Sequence, residues 1–211
     1  MKKTVEEDRA GTESPRIAAA PKVYEVSEPS VVRVQALRWP SNDQAANGTK
    51  WVVNHMYRDL RSFSWHAAKE MLAVEAEAMT ALSAITDEGD RARFIGAPRL
   101  VSSLRQLDLG VAGTVAALSA ARCVPIASCN AGAFGGRHSE VAPVIDFYAR
   151  GAAAPLLVAI AAEGGVLLRN HRYGDLAVEA TTIDRMHAFG KSLFEHRDAF
   201  IALKLPRATA I

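Results

Sequence analysis

Two short apolar segments separated by a polar, glycine-rich loop are the most distinctive feature of the hydrophobic pattern. Residues 125–127 and 144–148 have the length and composition of buried strands, so we predict a β-hairpin. The loop between them, residues 128–140, holds three of the fourteen glycines, one of the two cysteines and one of the six histidines. Polar groups and backbone freedom are therefore concentrated here more than elsewhere in the chain.

A similar helix–strand–strand pattern occurs on both sides of residue 150. A helix rich in small residues is predicted from Gly113 to Arg122, before the first hairpin. A second apolar helix is predicted over residues 152–163, followed by strands at 166–169 and 176–180. The pattern indicates a weak duplication of one αββ unit.

The order of strands in the sheet depends on residues 31–37, which are rich in β-branched side chains and predict another strand. If that strand joins the sheet, the order is that of a ferredoxin-like sandwich. Otherwise the chain forms a self-contained αββαββ sandwich. Both alternatives predict an α+β protein with one mainly antiparallel sheet covered by helices.

The composition changes along the chain and predicts one domain with a tail. Residues 1–21 mix charges with glycine and proline and are expected to be a flexible tail. Residues 22–211 are expected to form a single α+β domain. It comprises a helical insertion at about 50–108, the αββαββ core at about 109–181 and a C-terminal helix at about 182–204.

Several helix boundaries carry local signals. Ser64 is a predicted N-cap for a long helix, and Pro98 is predicted in the first turn of a short one. Thr181, with Asp184 three residues later, predicts the start of the C-terminal helix. An earlier helix is expected from the spacing of Val52, Met56, Leu60 and Phe63.

Composition narrows the function classes. The chain has 211 residues, a net charge of +2 and no extended basic face, so nucleic-acid binding is not expected. The sequence lacks an apolar run of about 20 residues that could cross a bilayer, and it lacks the apolar segment of a secretory signal. We therefore expect a cytoplasmic protein that does not associate with a membrane. Cys123 and Cys129 are separated by one short strand, so we expect reduced thiols and no disulfide.

The glycine-rich loop supports a first hypothesis, a module that binds a small anionic ligand or a protein partner, with a homodimer as one arrangement. The glycines permit backbone N–H groups to converge on an anion, and Arg137 adds a bidentate donor. No established nucleotide-binding glycine motif is present. The candidate ligand-binding residues of this loop are Asn130, Gly132, Gly135, Gly136, Arg137 and His138.

A second hypothesis is an enzyme, a hydrolase or transferase, in which Cys129 is the nucleophile and His138 the base. Loop N–H groups would then form an oxyanion hole. Cys123, Cys129, His138 and Glu140 match no paired zinc pattern, so neither a metal nor a cofactor is expected.

The second hairpin turn supplies two further candidates, His171 and Tyr173. In a ferredoxin-like order both hairpin loops are expected at one end of the sheet, separated by roughly three strand spacings of 4.8 Å, where one ligand could span them. A third hypothesis is a structural subunit that uses the tail and the segments bearing Trp39, Trp51 and Trp65.

Overall fold

The computed structural model describes most of the chain in five stretches, residues 22–48, 57–61, 63–135, 140–171 and 173–206. Several sequence predictions lie outside these residues and keep their status as predictions. They are the tail at 1–21, residues 52–56 and 62 of the helix expected from Val52 to Phe63, Trp51, and the loop residues Gly136, Arg137 and His138. The described residues 57–61 and 63 of that expected helix are not helical, so this part of the prediction is wrong.

Four antiparallel strands form one sheet in the described part of the chain. The strands are β1 (Val124–Cys129), β2 (Val144–Tyr148), β3 (Leu167–Asn170) and β4 (Leu176–Glu179). Their order in the sheet is β1-β2-β4-β3, so each hairpin supplies one central and one edge strand. Both predicted hairpins are confirmed.

Eight α-helices accompany the sheet within the described residues, and none of them is both long enough and apolar enough to cross a bilayer. The chain is therefore mixed helix and strand, as the α+β prediction requires. The helices are α1 (Asn42–Asn47), α2 (Trp65–Ala84), α3 (Glu88–Ile95), α4 (Pro98–Ser103), α5 (Ala112–Ala120), α6 (Ala154–Gly164), α7 (Ile183–Glu195) and α8 (Arg197–Ala202).

Helices cover one face of the sheet and enclose the main core. The alternation of side chains along a strand directs Ile145 and Phe147 of β2 and Leu176 and Val178 of β4 to this face, where all four are buried. Helix α5 contacts β1, α6 contacts β3, and α7 contacts both helices. Helix α2 packs on α5 and α7 from outside.

The opposite face of the sheet is partly covered by the N-terminal segment, residues 22–48. Trp39 and Ala45 pack against Val124, Ile126 and Tyr148 in a second apolar cluster. The segment is also tied to the sheet by hydrogen bonds along its length. These run from Tyr24 N to Thr181 O, from Ser27 N and Oγ to Glu179, from Arg33 N to Asn170 Oδ1 and from Arg38 N to Gly174 O.

The prediction of a strand at residues 31–37 is wrong. Residues Val34–Ala36 form a short 3-10 helix instead, and no described residue of this segment pairs with the sheet. Val32 and Leu37 pack against the main core, whereas Val31 and Val34 are exposed, so the β-branched composition did not mark a strand here. The described elements from α5 to β4 follow the αββαββ order, and the ferredoxin-like assignment is not confirmed.

The predicted helix boundaries are mostly confirmed. Ser64 accepts a hydrogen bond from Ala67 N at the start of α2, and Pro98 begins α4. The cap of α7 is Thr182, one residue later than predicted, because its hydroxyl accepts from Arg185 N. The long helix α2 ends at Ala84, and Gly89 belongs to the separate helix α3.

A fully buried carboxylate joins three helices in the main core. Glu75 of α2 accepts hydrogen bonds from Gly110 N at 2.8 Å and Gly113 N at 3.2 Å, at the start of α5. Its Oε2 also lies 2.8 Å from Nδ1 of His187 on α7. A Cβ atom at Gly113 would be 2.8 Å from Oε2, so only glycine permits this approach. His187 thus has a buried acidic partner.

Candidate functional site

The loop after β1 begins at Asn130, a buried side chain that holds the loop against the segment before α5. Asn130 Nδ2 donates to Leu109 O at 3.0 Å, and its Oδ1 accepts from Gly132 N at 3.0 Å. Asn130 is 5% exposed. Its predicted role in direct ligand binding is therefore accompanied by a structural one, because both polar atoms of the amide have partners within the protein.

The described N–H groups of the loop are engaged within the loop itself. Ala131 N donates to Cys129 Sγ, Ala133 N to Asn130 O and Gly135 N to Gly132 O. With the Gly132 N–H bonded to Asn130, these four groups do not converge on an anion as the glycine pattern suggested. The anion-binding prediction now depends on Gly136, Arg137 and His138, which lie outside the described residues.

A cavity of about 390 Å³ lies between this loop and the α3–α4 region. Its polar rim is formed by Gln106, Asp108 and Asn130, and Gly135 lines it at the loop. Most of the wall is apolar, and it is supplied by Ile95, Leu100, Val101, Leu104, Leu107 and Phe134. The cavity can accommodate a small molecule whose body is largely apolar.

Unusual backbone conformations surround this cavity. Gln106 of the rim has φ 63° and its neighbour Arg105 has φ 55°, both in the left-handed region that non-glycine residues rarely adopt. Ala131, next to Asn130, has φ 52°. Each such residue costs about 1 kcal/mol or more, and such strain clusters at functional sites. The cavity is thus flanked by backbone that the fold maintains against local preference.

Cys129 ends β1 and is half-buried. Burial raises the pKa of its thiol, and nearby Asp108 and Glu140 raise it further, although hydrogen bonds from the Ala131 and Glu140 backbone act in the opposite direction. A nucleophilic cysteine needs a lowered pKa instead. Cys123 is buried, and desolvation raises its pKa to about 12. Neither cysteine forms a disulfide.

The two hairpin loops lie at opposite ends of the sheet. Cys129 pairs with Val144, which pairs with Glu179 at one end, whereas Asn170 pairs with Leu176 at the other. The expectation that one ligand spans both loops is therefore wrong. In the observed order β1-β2-β4-β3, the two edge strands run in opposite directions, so the loops that follow them diverge.

His171 and Tyr173 instead face a separate cluster at the second hairpin. His171 Nδ1 lies 3.1 Å from Asp175 Oδ2, and the same turn is closed by His171 N donating to Asp175 O at 2.8 Å. The rings of His171 and Tyr173 meet edge to face with centroids 5.8 Å apart. Asp146 of β2 completes the cluster, since one ligating atom from each of Asp146, His171 and Asp175 lies within 4.8 Å of the others.

The electrostatics of this second cluster are unfavourable for its carboxylates. Burial raises the pKa of Asp146 to about 6; Asp175 and Glu140 add to the effect, while His171 and Arg169 oppose it. Asp175 is 1% exposed, and its Oδ1 has no hydrogen-bond partner within the part of the chain that the structure describes. A second acidic group, Asp146, is held close to it.

Sequence reasoning missed Asp146 and Asp175. One signal was available: Asp146 is the only charged residue in an otherwise apolar strand, a position that needs a compensating partner. The spacing of His171 and Asp175 around a turn was a second, weaker signal. Their convergence with Asp146 depends on β2 and β4 being neighbours, which the linear pattern does not reveal.

The tryptophans that were candidates for an interface pack within the fold. Trp65 lies 6.3 Å from the ring of Phe194 and 5.9 Å from that of Phe200. The guanidinium of Arg150 stacks over Trp39 at 3.9 Å. These contacts account for two of the three tryptophans without a partner protein, and Trp51 lies outside the described residues.

Known proteins offer no guide to either site. No protein-family model, no curated protein and no solved structure matches this chain at a significant level. Any function must therefore be inferred from the geometry of the two clusters described above.

Proposed function

We propose that this protein is a binding module for a small molecule whose apolar part enters the cavity beside the glycine-rich loop. The observation that carries the proposal is the cavity itself, about 390 Å³ in volume and lined mainly by aliphatic side chains. Ligand sites in proteins are concave, mostly apolar and about 300–1,000 Å³ in volume, with a few polar groups that orient the ligand. This cavity has each of those properties.

The rim suggests how the ligand is oriented. Gln106 is a polar residue of the cavity lining, whereas the Asn130 amide is already bonded to Leu109 O and Gly132 N. Gly135 leads directly into Gly136, Arg137 and His138. We therefore place the polar end of the ligand toward the loop. Arg137 would pair with an anionic end of the ligand. A ligand with such an end, as expected from the sequence, is the more specific form of the proposal.

The strained backbone at Arg105, Gln106 and Ala131 supports a binding role for this region. Strained residues persist only where the surrounding structure holds them, and binding sites are a common place for them.

The proposal is tested with matched probes that separate apolar from anionic recognition. We expect octan-1-ol and octanoate to raise the melting temperature, because a ligand of the folded state stabilises it. Inorganic phosphate should have no effect if the apolar body dominates. A larger shift with octanoate than with octan-1-ol, lost in Arg137→Gln, would establish the anionic end.

The matched variants are Val101→Phe, which fills the cavity, and Val158→Phe on the exposed side of α6. Val101→Phe should remain folded and lose the shift, and Val158→Phe should keep it. If neither compound shifts the melting temperature, or if the shift persists in Val101→Phe, the cavity is not the binding site.

The other functions considered have less support. A cysteine nucleophile is disfavoured by the raised pKa of Cys129, and a structural subunit stays a prediction. A protein partner and a homodimer stay predictions, and light scattering of the purified chain tests the homodimer directly.

A further inference from the structure

The cluster at the second hairpin combines the donor types of a transition-metal site. Asp146 lies on β2, while His171 and Asp175 lie on either side of the β3–β4 turn, so two adjacent parts of the sheet hold them together. Their ligating atoms lie within 4.8 Å of one another. Among the residues that the structure describes, this is the one group of three ligating side chains with such proximity.

The spacing within the cluster suits a shared ion. His171 Nδ1 and Asp175 Oδ2 are 3.1 Å apart. Zinc binds nitrogen and oxygen ligands at about 2.0–2.2 Å, which places two ligands of a tetrahedral ion about 3.3–3.6 Å apart. One ligating oxygen of Asp146 lies within 4.8 Å of a ligating atom of each of these two residues.

An independent observation points to a ligand at this position. Asp175 is almost fully buried, and its Oδ1 has no hydrogen-bond partner among the described residues. A buried carboxylate oxygen without a partner is costly, so such atoms are rare in folded proteins. A cation bound between Asp175 and Asp146 would compensate this oxygen and remove the repulsion between the two carboxylates.

The surroundings support the geometry that a metal ligand needs. The Tyr173 ring contacts His171 edge to face, and the backbone hydrogen bond from His171 N to Asp175 O fixes the turn. His171 is 30% exposed, which leaves a path from solvent to the cluster. A ring held in one orientation with one open side is typical of a histidine ligand.

We propose that Asp146, His171 and Asp175 bind a divalent transition-metal ion of the zinc class. The imidazole nitrogen favours zinc, manganese or cobalt over calcium and magnesium, which prefer six or more oxygen ligands. Three protein ligands leave at least one coordination position for water or a small molecule. This site lies at the opposite end of the sheet from the proposed ligand cavity and does not depend on it.

The test uses Zn²⁺ alone, added to the full-length protein after treatment with a chelator. We expect one equivalent to bind by calorimetry and the melting temperature to rise by several degrees, with no rise from Mg²⁺ or Ca²⁺. Asp146→Asn, His171→Ala and Asp175→Asn should each weaken binding by more than about 100-fold, since even the loss of an outer partner costs about 10- to 100-fold.

Two controls keep the test specific. His66→Ala removes an exposed histidine that pairs with Glu70 elsewhere on the surface, and Cys129→Ser removes the thiol at the other candidate site. Both should bind Zn²⁺ as the unmodified chain does. The proposal is overturned if the unmodified chain does not bind Zn²⁺, if binding survives in Asp146→Asn and Asp175→Asn, or if Cys129→Ser abolishes it.

Discussion

Two buried acidic groups with histidine partners lie in different environments in this protein. Glu75 is enclosed by two backbone N–H donors and His187, and both of its oxygens have partners. Asp175 also contacts a histidine, but no described residue donates to its Oδ1, and a second carboxylate, Asp146, lies nearby. The first group joins helices and is complete without a ligand, whereas the second would be completed by a cation.

The difference shows how a buried carboxylate can be interpreted from its donors. Where protein donors surround the charge, the group belongs to the architecture, and removing it leaves donors unpaired. Where they do not, the fold bears a cost that only a ligand offsets. Proximity of an acid to a histidine is common to both regions and does not separate them.

The largest expected effect comes from removing the enclosed carboxylate. Glu75→Ala should lower the free energy of unfolding by about 3–5 kcal/mol, because it leaves His187 and two buried N–H groups without a partner. Urea denaturation followed by circular dichroism measures it. Glu77→Ala, on the exposed side of α2, is the matched control and should change stability by less than about 0.5 kcal/mol. A similarly small effect at Glu75 would remove the basis of the comparison.

Glu179 extends the comparison to a carboxylate with partly exposed donors. Burial alone would raise its pKa, but hydrogen bonds from Ser27 and Arg169 outweigh burial and hold the pKa below the usual value of 4.5. An acid with a lowered folded-state pKa stabilises the protein above its unfolded pKa, and this stability is lost as the pH falls through the folded value. Glu179→Gln should therefore cost about 2 kcal/mol at pH 7.

The pH dependence of that difference provides the check. Urea midpoints measured from pH 7 downward should converge for Glu179→Gln and the unmodified chain as the pH falls below 4.5 and through the folded-state pKa, where the carboxylate gains its proton. Glu195→Gln, an exposed glutamate on α7, should show no such convergence. A constant difference across this range would mean that the Ser27 and Arg169 contacts do not depend on the charge.

Neutralising Asp146 in the cluster at the second hairpin should increase the stability of the protein, whereas the preceding substitutions decrease it. In metal-free protein, Asp146→Asn is expected to raise the free energy of unfolding by about 1 kcal/mol at neutral pH, because it removes a buried charge and its repulsion with Asp175. Thermal unfolding in the presence of a chelator measures the change. Asp198→Asn, at an exposed position, is the control. A loss of stability at Asp146 would mean that the cluster is already satisfied within the protein.

The sequence predicted local structure better than it predicted which parts meet. The hairpin strands and the cap at Ser64 depend on neighbouring residues, so their periodicity and turn chemistry are visible in the chain. The prediction of a strand at 31–37 failed because its β-branched residues do not lie in a sheet: Val32 packs against the core from outside the sheet, and Val31 and Val34 are exposed. The pairing of β2 with β4 is non-local, and it decides both where the hairpin loops lie and which acids converge.

The candidate sites also contain some residues that the local sequence identified and others that only the fold brings together. Asn130 and Gly135 were identified from the loop composition, and both line the cavity. Its opposite wall, which includes Leu100 and Leu104, had been interpreted only as one face of a short helix. Asp146 was read as part of an apolar strand because its neighbours dominate the pattern. A cavity and a ligand cluster are both made by the approach of distant segments, which one-dimensional periodicity does not record.

The smallest expected effect is a change in the alkylation rate of the two thiols. It tests whether burial with few donors disfavours the charged form of a thiol as it does that of a carboxylate. Burial without sufficient donors raises the pKa of Cys129, and that of Cys123 to about 12, so the thiolate is scarce in both at neutral pH. Iodoacetamide at pH 7 should modify Cys129 more slowly than it modifies the urea-unfolded chain, and Cys123 should react only after unfolding. Mass spectrometry of peptides from the native and unfolded protein gives the two rates side by side. Rapid modification of native Cys129 would show that the residues after Gly135 supply a positive charge to the thiol. That result would restore the cysteine-nucleophile hypothesis. It would also show that the surroundings of Cys129 differ from those of the donor-poor cluster at Asp146.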